Sequence, residues 1–485
     1  MFSSIDPLMV RAILPEILLV VLGVIVLVYD LLVEDNLRRG LGWLTAGGLA
    51  VIFVVSLAFS RPGPESVPVW GGMLRFDWLG FSFTMLFLFG AAVTSLFAME
   101  VRQLGQRGEF YLLLLASTVG MCLMASAADL VMLFLAIETT SIPLYVLAGF
   151  FKTDNKSTEA GFKYLLFGAM TSTVMLYGFS LLYGFTGTTD LYAITQTVVS
   201  GELPGMLVVG TLILIMVGFG FKISAVPFHF WAPDVYEGAP TPVAGFLSTA
   251  SKAAGFAVLM RVLLTVFPSQ EAVPYWVILI AALSVFSMTL GNALALAQRN
   301  IKRMLAYSSI AHAGYALIGV AALSQFGIAS VVFYLIAYTV TNLAAFGIVA
   351  AFWRVSGSDE IADYAALSRR SPALALALMV ALLSLAGMPP LGGFVAKVFV
   401  FAAAINTGLV WLAVIGVLNS IVGLYYYLIV LKVVYLYRSE NEEVPVPLTR
   451  PYALAITVLI AGIILLGTIF APWFDLSTAA AAALF

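Results

Sequence analysis

Four ionisable side chains lie in stretches that are otherwise apolar enough to cross a lipid bilayer: Lys222, Lys252, Lys397 and Glu138. A charged side chain at the bilayer centre costs about 2.5 to 3.5 kcal/mol on insertion scales, so such residues are rare and mark ion or proton pathways. The alternatives are lysine stems that carry the ammonium to the membrane surface and, for Glu138, a carboxylate at a helix end. An incidental explanation of this kind would be needed separately at each of the four residues. We therefore interpret them as parts of a proton or ion path.

Membrane-spanning helices must position these residues. The chain of 485 residues is 62% hydrophobic and 10% charged, whereas a soluble domain carries about 25% charged residues. Continuous apolar runs exclude an outer-membrane barrel, whose strands alternate in polarity. Because a spanning helix needs about 20 mostly apolar residues, we predict an all-α integral membrane protein with about fourteen transmembrane helices, at residues 8–29, 40–59, 77–98, 110–127, 129–150, 160–186, 205–228, 242–267, 274–297, 303–323, 327–353, 372–403, 408–437 and 452–473. We interpret the first segment as a retained span, since it is too long for a signal-peptide core.

Several kinds of site are excluded by composition. The single cysteine, Cys122, excludes an intrachain disulfide, a cysteine-rich zinc site and a cysteine-ligated iron-sulfur cluster on this chain. The two histidines are too far apart in sequence to indicate a metal site, so we predict no metal. A net charge of -2 without a dense basic run gives no support for nucleic-acid binding.

The distribution of basic residues predicts the orientation. Fourteen of the 23 lysines and arginines lie in loops after odd-numbered spans, and four, Arg11, Arg61, Arg75 and Arg261, lie on the other side. The basic side of a membrane protein is normally cytoplasmic. Both termini should therefore face the periplasm or exterior, and an even number of spans agrees.

Two interrupted spans indicate an internal repeat. Span seven carries Pro227 five residues after Lys222, and span twelve carries Gly387, Pro389 and Pro390 before Lys397. Paired interruptions at corresponding positions are typical of transporters built from inverted repeats, with the ion site at the breaks. We therefore predict discontinuous helices 7 and 12 in two five-helix units.

The spacing of the breaks divides the chain. Because spans seven and twelve are five apart, residues 106–268 form the first unit with spans four to eight, and residues 269–440 form the second with spans nine to thirteen. An odd number of helices in each unit makes the second inverted. Residues 1–105 would be an N-terminal three-helix addition, and residues 441–485 would contribute span fourteen.

Proline also predicts where main-chain groups become free. It removes one N–H and displaces the carbonyl four residues earlier. Pro227 would free the Ile223 carbonyl beside Lys222, and Pro143 would free a carbonyl beside Glu138. Lys252 lies ten residues after the start of span eight, about 15 Å at 1.5 Å per residue, and hence in mid-membrane.

Three further residues are possible secondary relays. Lys163 lies four residues after Glu159, a spacing that equally suits a surface ion pair. His229 follows the break in span seven and could relay protons, because the pKa of histidine lies near physiological pH, or could hydrogen-bond in a packed loop. His312, near Ser308, Ser309 and Tyr315, has the same two interpretations.

Three segments resemble the antiporter-like membrane subunits of respiratory complex I over essentially the whole chain. They are LFLAIE at 133–138, KISAVPFHFWAPDVYEGAPTPV at 222–243 and NIKRMLAYSSIAHAGY at 300–315. Within that family, two features resemble one bacterial subfamily. They are the stretch at 234–240 and a lysine, Lys397, where other members carry a glutamate in span twelve. The resemblance implies that Glu138 pairs with Lys222, that Lys252 is the central relay and that Lys397 ends the second half-channel.

The same resemblance implies a role in a larger enzyme. This chain would be a proton-translocating subunit of the bacterial inner membrane, surrounded by lipid and by neighbouring antiporter-like and small membrane subunits. NADH oxidation and quinone reduction, with the flavin FMN and the iron-sulfur clusters, would occur on other subunits, and this chain would hold no cofactor. Two alternatives stay open: a subunit of a cation/proton antiporter, and a structural membrane subunit that does not pump.

Overall fold

The computed structural model describes residues 6–34, 38–200, 203–269, 272–439 and 442–485. Thirteen helices in this part of the chain are long and apolar enough to cross a membrane. The prediction of an all-α protein with many membrane spans is therefore confirmed.

The N-terminal region contains the first three long helices and a small hairpin. Strands Val67–Val69 and Leu74–Phe76 pair antiparallel, with Val67 opposite Phe76. The Asp77 carboxylate caps the next helix by accepting the Gly80 N–H at 2.8 Å. The helices are α1 Pro7–Ala12, α2 Leu14–Leu32, α3 Gly40–Phe59, α4 Trp78–Ala98 and α5 Arg102–Gly105.

The described residues between 106 and 268 form eight helices and one π-helical turn. The π turn, Leu247–Ser251, joins α12 to α13 in a single 26-residue apolar span, Thr241–Val266. The helices are α6 Gly108–Ser126, α7 Leu130–Ala148, α8 Asn155–Thr186, α9 Leu191–Val199, α10 Gly205–Ile223, α11 Trp231–Gly238, α12 Thr241–Phe246 and α13 Lys252–Val266.

The remaining chain is again helical. A short 3-10 turn, Ile361–Tyr364, follows the third helix of this part, and the last helix lies beyond the final span expected from sequence. The helices are α14 Ala272–Leu296, α15 Ile301–Ala321, α16 Gln325–Ser356, α17 Leu367–Arg370, α18 Pro372–Ala386, α19 Gly392–Asn406, α20 Val410–Leu436, α21 Arg450–Thr468 and α22 Ala471–Ala482.

The interruptions differ in detail from those expected. The predicted span twelve is two helices of 15 residues each, α18 and α19, so a break at the expected place is present. In span seven, however, α10 ends at Ile223, because Ser224 takes a left-handed conformation with φ 57°. Pro227 lies in the non-helical segment between α10 and α11, so the chain is interrupted at the expected place, three residues before the proline itself.

Pro143, in contrast, does not break its helix. It lies inside α7, which continues to Ala148. A proline in a helix interior removes one hydrogen bond without necessarily ending the helix when neighbouring groups supply other partners. The prediction that Pro143 marks a helix break was therefore wrong.

The helices that carry the central ionisable residues are also the most enclosed. The apolar window of α12 to α13 is 100% buried, as is that of α16, and that of α15 is 94% buried, whereas that of α2 is 28% buried. Lys252 and His312 therefore lie on helices at the centre of the bundle.

Candidate functional site

Lys252 begins α13 and is 2% exposed. Its ammonium donates to the Ser309 hydroxyl at 2.8 Å and to the Ser309 carbonyl at 3.1 Å. The same nitrogen lies 5.9 Å from the centre of the Tyr236 ring. The partners of this buried cation are therefore uncharged groups.

The π-helical turn directly before Lys252 has a local consequence. A π turn adds a residue to the helical turn, and such turns occur frequently at functional sites. The turn ends at Ser251, so Lys252 is the first residue of the regular helix that follows. The Lys252 side chain therefore points in a different direction from the one it would have if α12 continued as a regular α-helix.

Lys222 lies one residue before the end of α10 and is 5% exposed. Its ammonium donates to the Ser141 hydroxyl, which in turn donates to the Ile137 carbonyl within α7. Lys222 and Glu138 do not come within the 4.0 Å of a salt bridge. The pair implied by the resemblance is therefore not a direct contact in this structure.

Glu138 nevertheless faces the same region. Its Oε1 atom is buried and has no hydrogen-bond partner among the described residues. Glu138 and Ser141 are three residues apart on α7, a spacing that places both side chains on one face of a helix. Lys222 therefore lies against the face of α7 that carries both groups.

The helices of Lys222 and Lys252 approach each other closely at Gly255. A Cβ atom built on Gly255 would lie 3.0 Å from the Ile223 side chain and 3.1 Å from Cβ of Lys222. Gly255 is one turn after Lys252 on α13. Because glycine has no side chain, α10 and α13 can pack closely at this position. Lys222 and Lys252 therefore lie near the same contact between the two helices.

Lys397 lies on α19, just after the break in span twelve, and is 5% exposed. Its ammonium donates to the Ser420 hydroxyl at 2.7 Å and to the Ala386 carbonyl at 3.0 Å. It also lies 4.8 Å from the centre of the Tyr315 ring. Ala386 is the last residue of α18, so the break supplies one of the partners of Lys397.

His312 is buried between tyrosines on α15. Its Nδ1 atom lies 2.6 Å from the Tyr334 hydroxyl, and its Nε2 atom lies 3.3 Å from the Tyr427 hydroxyl. The Tyr427 hydroxyl lies 2.5 Å from the Ser308 hydroxyl. This histidine therefore belongs to a continuous set of hydrogen-bonding side chains.

One helix contacts two of the three lysines. On α15, Ser309 binds Lys252 and Tyr315 faces Lys397, with His312 halfway between them. Six residues of α-helix span about 9 Å along the axis. The structure therefore places His312 between the surroundings of Lys252 and Lys397.

Lys163 and His229 lie in different surroundings. Lys163 forms ion pairs at 2.6 Å with both Glu159 and Asp234. His229 is 6% exposed and its ring lies 4.5 Å from that of Phe230, tilted by 32°, and its Nδ1 has no hydrogen-bond partner among the described residues. The ion pair expected for Lys163 is thus present, while the relay role of each residue stays a prediction.

Lys163 is part of a chain of charges that connects α8, α11 and α15. Burial raises the pKa of Asp234 and Glu237, but hydrogen bonds from the surrounding basic groups outweigh this and hold both pKa values below their ordinary values. Oppositely charged neighbours alternate along the chain, in the order Glu159, Lys163, Asp234, Arg303, Glu237 and Lys156.

Sequence reasoning missed the partners of the three lysines. Ser141, Ser309 and Ser420 are ordinary residues of membrane helices, and only their spacing from Glu138 and His312 could have drawn attention to the first two. It also missed the ion pair of Arg261 with Asp77, both 1% exposed with the nearest atoms 2.8 Å apart. The available signal was that Asp77 and Arg261 each lie within a predicted apolar span, one with a negative and one with a positive charge.

Comparisons with known proteins place this site in a family. The family model described as NADH:quinone oxidoreductase/Mrp antiporter, TM matches residues 127–423. NADH-quinone oxidoreductase subunit N of Moorella thermoacetica is 44% identical over 454 residues, which cover 93% of this chain and 94% of the relative.

Solved structures agree. A chain of respiratory complex I from Thermus thermophilus with bound aureothin is 32% identical, has a TM-score of 0.78 and covers 95% of this chain and 98% of its own length. A chain of the Mrp complex from Dietzia sp. has a TM-score of 0.84 at 21% identity, over 98% of this chain and 97% of its own, a likeness of fold alone. The resemblance derived from the motifs is therefore confirmed: the chain belongs to the NADH:quinone oxidoreductase/Mrp antiporter transmembrane family and, within it, to the NADH-quinone oxidoreductase subunit N family.

Proposed function

We propose that this chain is a proton-translocating membrane subunit of a bacterial NADH-quinone oxidoreductase. The observation that carries the proposal is the set of three buried lysines whose ammonium groups bind hydroxyl and carbonyl groups. Electron transfer takes place on other subunits, which hold the flavin, the iron-sulfur clusters and the quinone. The chain lies in the inner membrane beside other membrane subunits, with both termini outside.

Uncharged partners suit a lysine that must gain and lose a proton. When one partner of a buried ion pair is lost, the other charge stays buried without compensation, which destabilises the protein by about 3 to 5 kcal/mol. A hydroxyl, in contrast, accepts a hydrogen bond from the ammonium and donates one to the neutral amine. The serine at each lysine therefore supports both protonation states.

The proposed order of transfer is Lys222, Lys252 and Lys397. The close approach of α10 and α13 at Gly255 supports the first step. The hydrogen-bonding side chains around His312 support the second. A cavity of about 10 Å³ lined by His312, Tyr334 and Tyr338 is near the lower limit for one water molecule, about 10 to 15 Å³, and would shorten that step.

Glu138 is proposed to control the start of the path. It lies on the same face of α7 as Ser141, the present partner of Lys222. A small movement of either helix would exchange Ser141 for Glu138 at the ammonium, and a nearby carboxylate favours the charged lysine. Changes elsewhere in the complex would drive this exchange during quinone reduction.

The energies involved are sufficient. Moving one charge against 100 mV requires about 2.3 kcal/mol. A hydrogen bond to a charged group contributes about 1.5 to 3 kcal/mol. An exchange of one partner at one lysine is therefore comparable to the work of moving one proton.

Removal of a membrane lysine tests the proposal. In inverted membrane vesicles, Lys222→Ala and Lys252→Met should each reduce the proton uptake driven by NADH at least about tenfold, the effect of about 1.4 kcal/mol on a barrier. Lys432→Met is the matched control, because Lys432 is an exposed lysine on an apolar helix. Normal uptake and normal NADH oxidation in both test variants would refute the proposed path.

The two alternatives give different results. An antiporter subunit would exchange sodium for protons in vesicles without NADH oxidation, and Lys252→Met would abolish that exchange. A purely structural subunit would lose assembly of the complex in the lysine variants, while any complex that did assemble would pump normally. Quantifying assembled complex in the same vesicles separates the latter case.

A further inference from the structure

A small polar cavity lies among the N-terminal helices and reaches the end of α6, the first helix of the predicted first five-helix unit. Its volume open to the centres of water molecules is about 20 Å³, and a cavity needs about 10 to 15 Å³ to hold one water. The polar side chains on its wall are Glu16, Ser60, Arg75, Asp77, Thr84 and Ser126.

Three polar atoms of this wall are buried without a hydrogen-bond partner among the described residues: Glu16 Oε2, Ser60 Oγ and Arg75 Nε. Glu16 is 7% exposed and Ser60 is 2% exposed. Most buried polar atoms in proteins have a partner. Three unpartnered atoms around one water-sized space therefore indicate a site for water and an exchangeable proton.

The charged neighbours of Glu16 have partners elsewhere. Both oxygens of Asp77 bind Arg261, at 2.8 and 3.0 Å. The Arg75 guanidinium stacks 3.6 Å above the Tyr192 ring.

No basic group among the described residues comes within the 4.0 Å of a salt bridge to Glu16. A buried carboxylate without a cation is costly, and such a group takes up a proton instead. A monovalent metal ion is a poorer occupant, because the guanidinium of Arg75 lines the same space. The chemistry of the wall thus favours a proton over a metal cation.

The cavity lies in the layer where helices end. Glu16 is in the first turn of α2, Ser60 directly follows α3, Asp77 caps α4 and Ser126 ends α6. Because successive spans cross the membrane in alternating directions, these ends lie at the opposite membrane face from α11, the helix that carries Asp234 and its ion pairs. A proton at Glu16 is therefore close to one surface of the membrane.

We propose that Glu16 is a proton-binding site that exchanges protons, through water in this cavity, with the membrane face at which α2 begins. The simpler role of a carboxylate in the first turn of a helix explains an ionised, unchanging Glu16. It does not explain the unpartnered oxygen beside a water-sized space. This inference does not depend on the proposed proton pumping.

Infrared difference spectroscopy of the assembled complex in membranes tests the site. Replacing bulk water by D2O and changing the external pH should reveal one protonated-carboxyl band that is present in the parent complex and lost in Glu16→Gln. Glu65→Gln, which changes an exposed glutamate in the loop after Ser60, should leave the band unchanged. Equal spectra for the two variants would overturn the proposal.

A second variant covers the case in which Glu16→Gln does not assemble. Ser60→Ala keeps the carboxyl group and removes a hydroxyl from the cavity, so the band should shift in frequency without disappearing. An unshifted band would contradict a shared site. Lys252→Met should leave the band intact, so failure of the pumping proposal and failure of this one give different results.

Discussion

A buried ammonium group needs partners, and the three membrane lysines obtain theirs from serine hydroxyls and main-chain carbonyls. A charged lysine has three hydrogen-bond donors and no acceptor. Each serine hydroxyl can therefore accept a hydrogen bond from the ammonium while it donates one to a second group. Ser141 does this with the Ile137 carbonyl, and Ser309 does it with the Ala306 carbonyl at 2.8 Å. The lysines are therefore held in place by groups that tolerate either protonation state.

Tyr427→Phe should slow transfer between the Lys252 and Lys397 regions, because the Tyr427 hydroxyl lies between Ser308 and His312. We expect a several-fold loss of NADH-driven proton uptake in inverted vesicles and a stability cost of about 1 kcal/mol for the lost hydrogen bonds. Tyr425→Phe is the control, since Tyr425 is on the same helix and 62% exposed. Equal proton uptake in the two variants would remove Tyr427 from the path.

At the scale of the elements, helix ends and irregular turns shape the lysine sites. The last carbonyls of a helix lack intrahelical partners, and the helix dipole makes that end partly negative. Ala386 at the end of α18 therefore offers Lys397 an acceptor without a carboxylate. The π turn before Lys252 and the end of α10 beside Lys222 give the other two lysines irregular backbone nearby.

Gly387→Ala should disturb Lys397 through the break in span twelve. Gly387 has φ 87°, and a Cβ atom there would lie 2.8 Å from Cδ of Lys397. Gly408→Ala is the matched control, because φ is 82° and no atom lies within 4 Å of its Cβ. Both variants should lose about 1 to 2 kcal/mol for the left-handed backbone.

Only Gly387→Ala should also lose proton uptake. Thermal unfolding of the purified complex measures the first effect, and vesicle acidification measures the second. If Gly408→Ala impaired uptake equally, backbone strain alone would be responsible and the contact with Lys397 would have no special role.

For the whole molecule, the ion pairs at the basic face connect the two predicted five-helix units. Arg303 of α15 binds Asp234 at 2.7 Å and Glu237 at 2.9 Å, both on α11. Arg303 belongs to the predicted second unit and α11 to the first. The contact therefore joins the two predicted units at one membrane face, as the buried pair of Asp77 and Arg261 joins the N-terminal helices to α13 near the other.

This network predicts a dependence of stability on pH. The folded pKa values of Asp234 and Glu237 lie below their ordinary values of 3.8 and 4.5. The stabilisation is therefore fully present above those ordinary values and is lost as the pH falls through the lower pKa values of the folded state. The unfolding temperature of the complex should fall over this acidic range.

The double variant Asp234→Asn, Glu237→Gln should have a lower unfolding temperature at neutral pH and a weaker dependence on acid. Glu443→Gln, at an exposed glutamate, should retain the full dependence. Parallel curves for the parent and the double variant would show that these two carboxyl groups do not determine acid stability.

The sequence by itself determined the class of the protein and the family, and it singled out the ionisable residues of the proposed path. Apolar runs of about 20 residues can satisfy their backbone in lipid only as helices, and lysines inside such runs are too costly to be incidental. The break at Gly387 could be predicted for the same local reason, since the glycines and prolines that end helices are visible in the chain. The inverted relation of the two units stays a prediction.

The tertiary structure decided which groups meet. Ser141, Ser309, Ser420 and Tyr427 lie on other helices than the side chains they serve, and helix packing alone brings them there. It also placed Ser141 rather than Glu138 at Lys222 and assembled the cavity of Glu16 from the ends of several helices. Contacts between distant segments depend on the packing of whole helices, whereas spans and breaks depend on local residues, which is why only the latter could be predicted from the sequence.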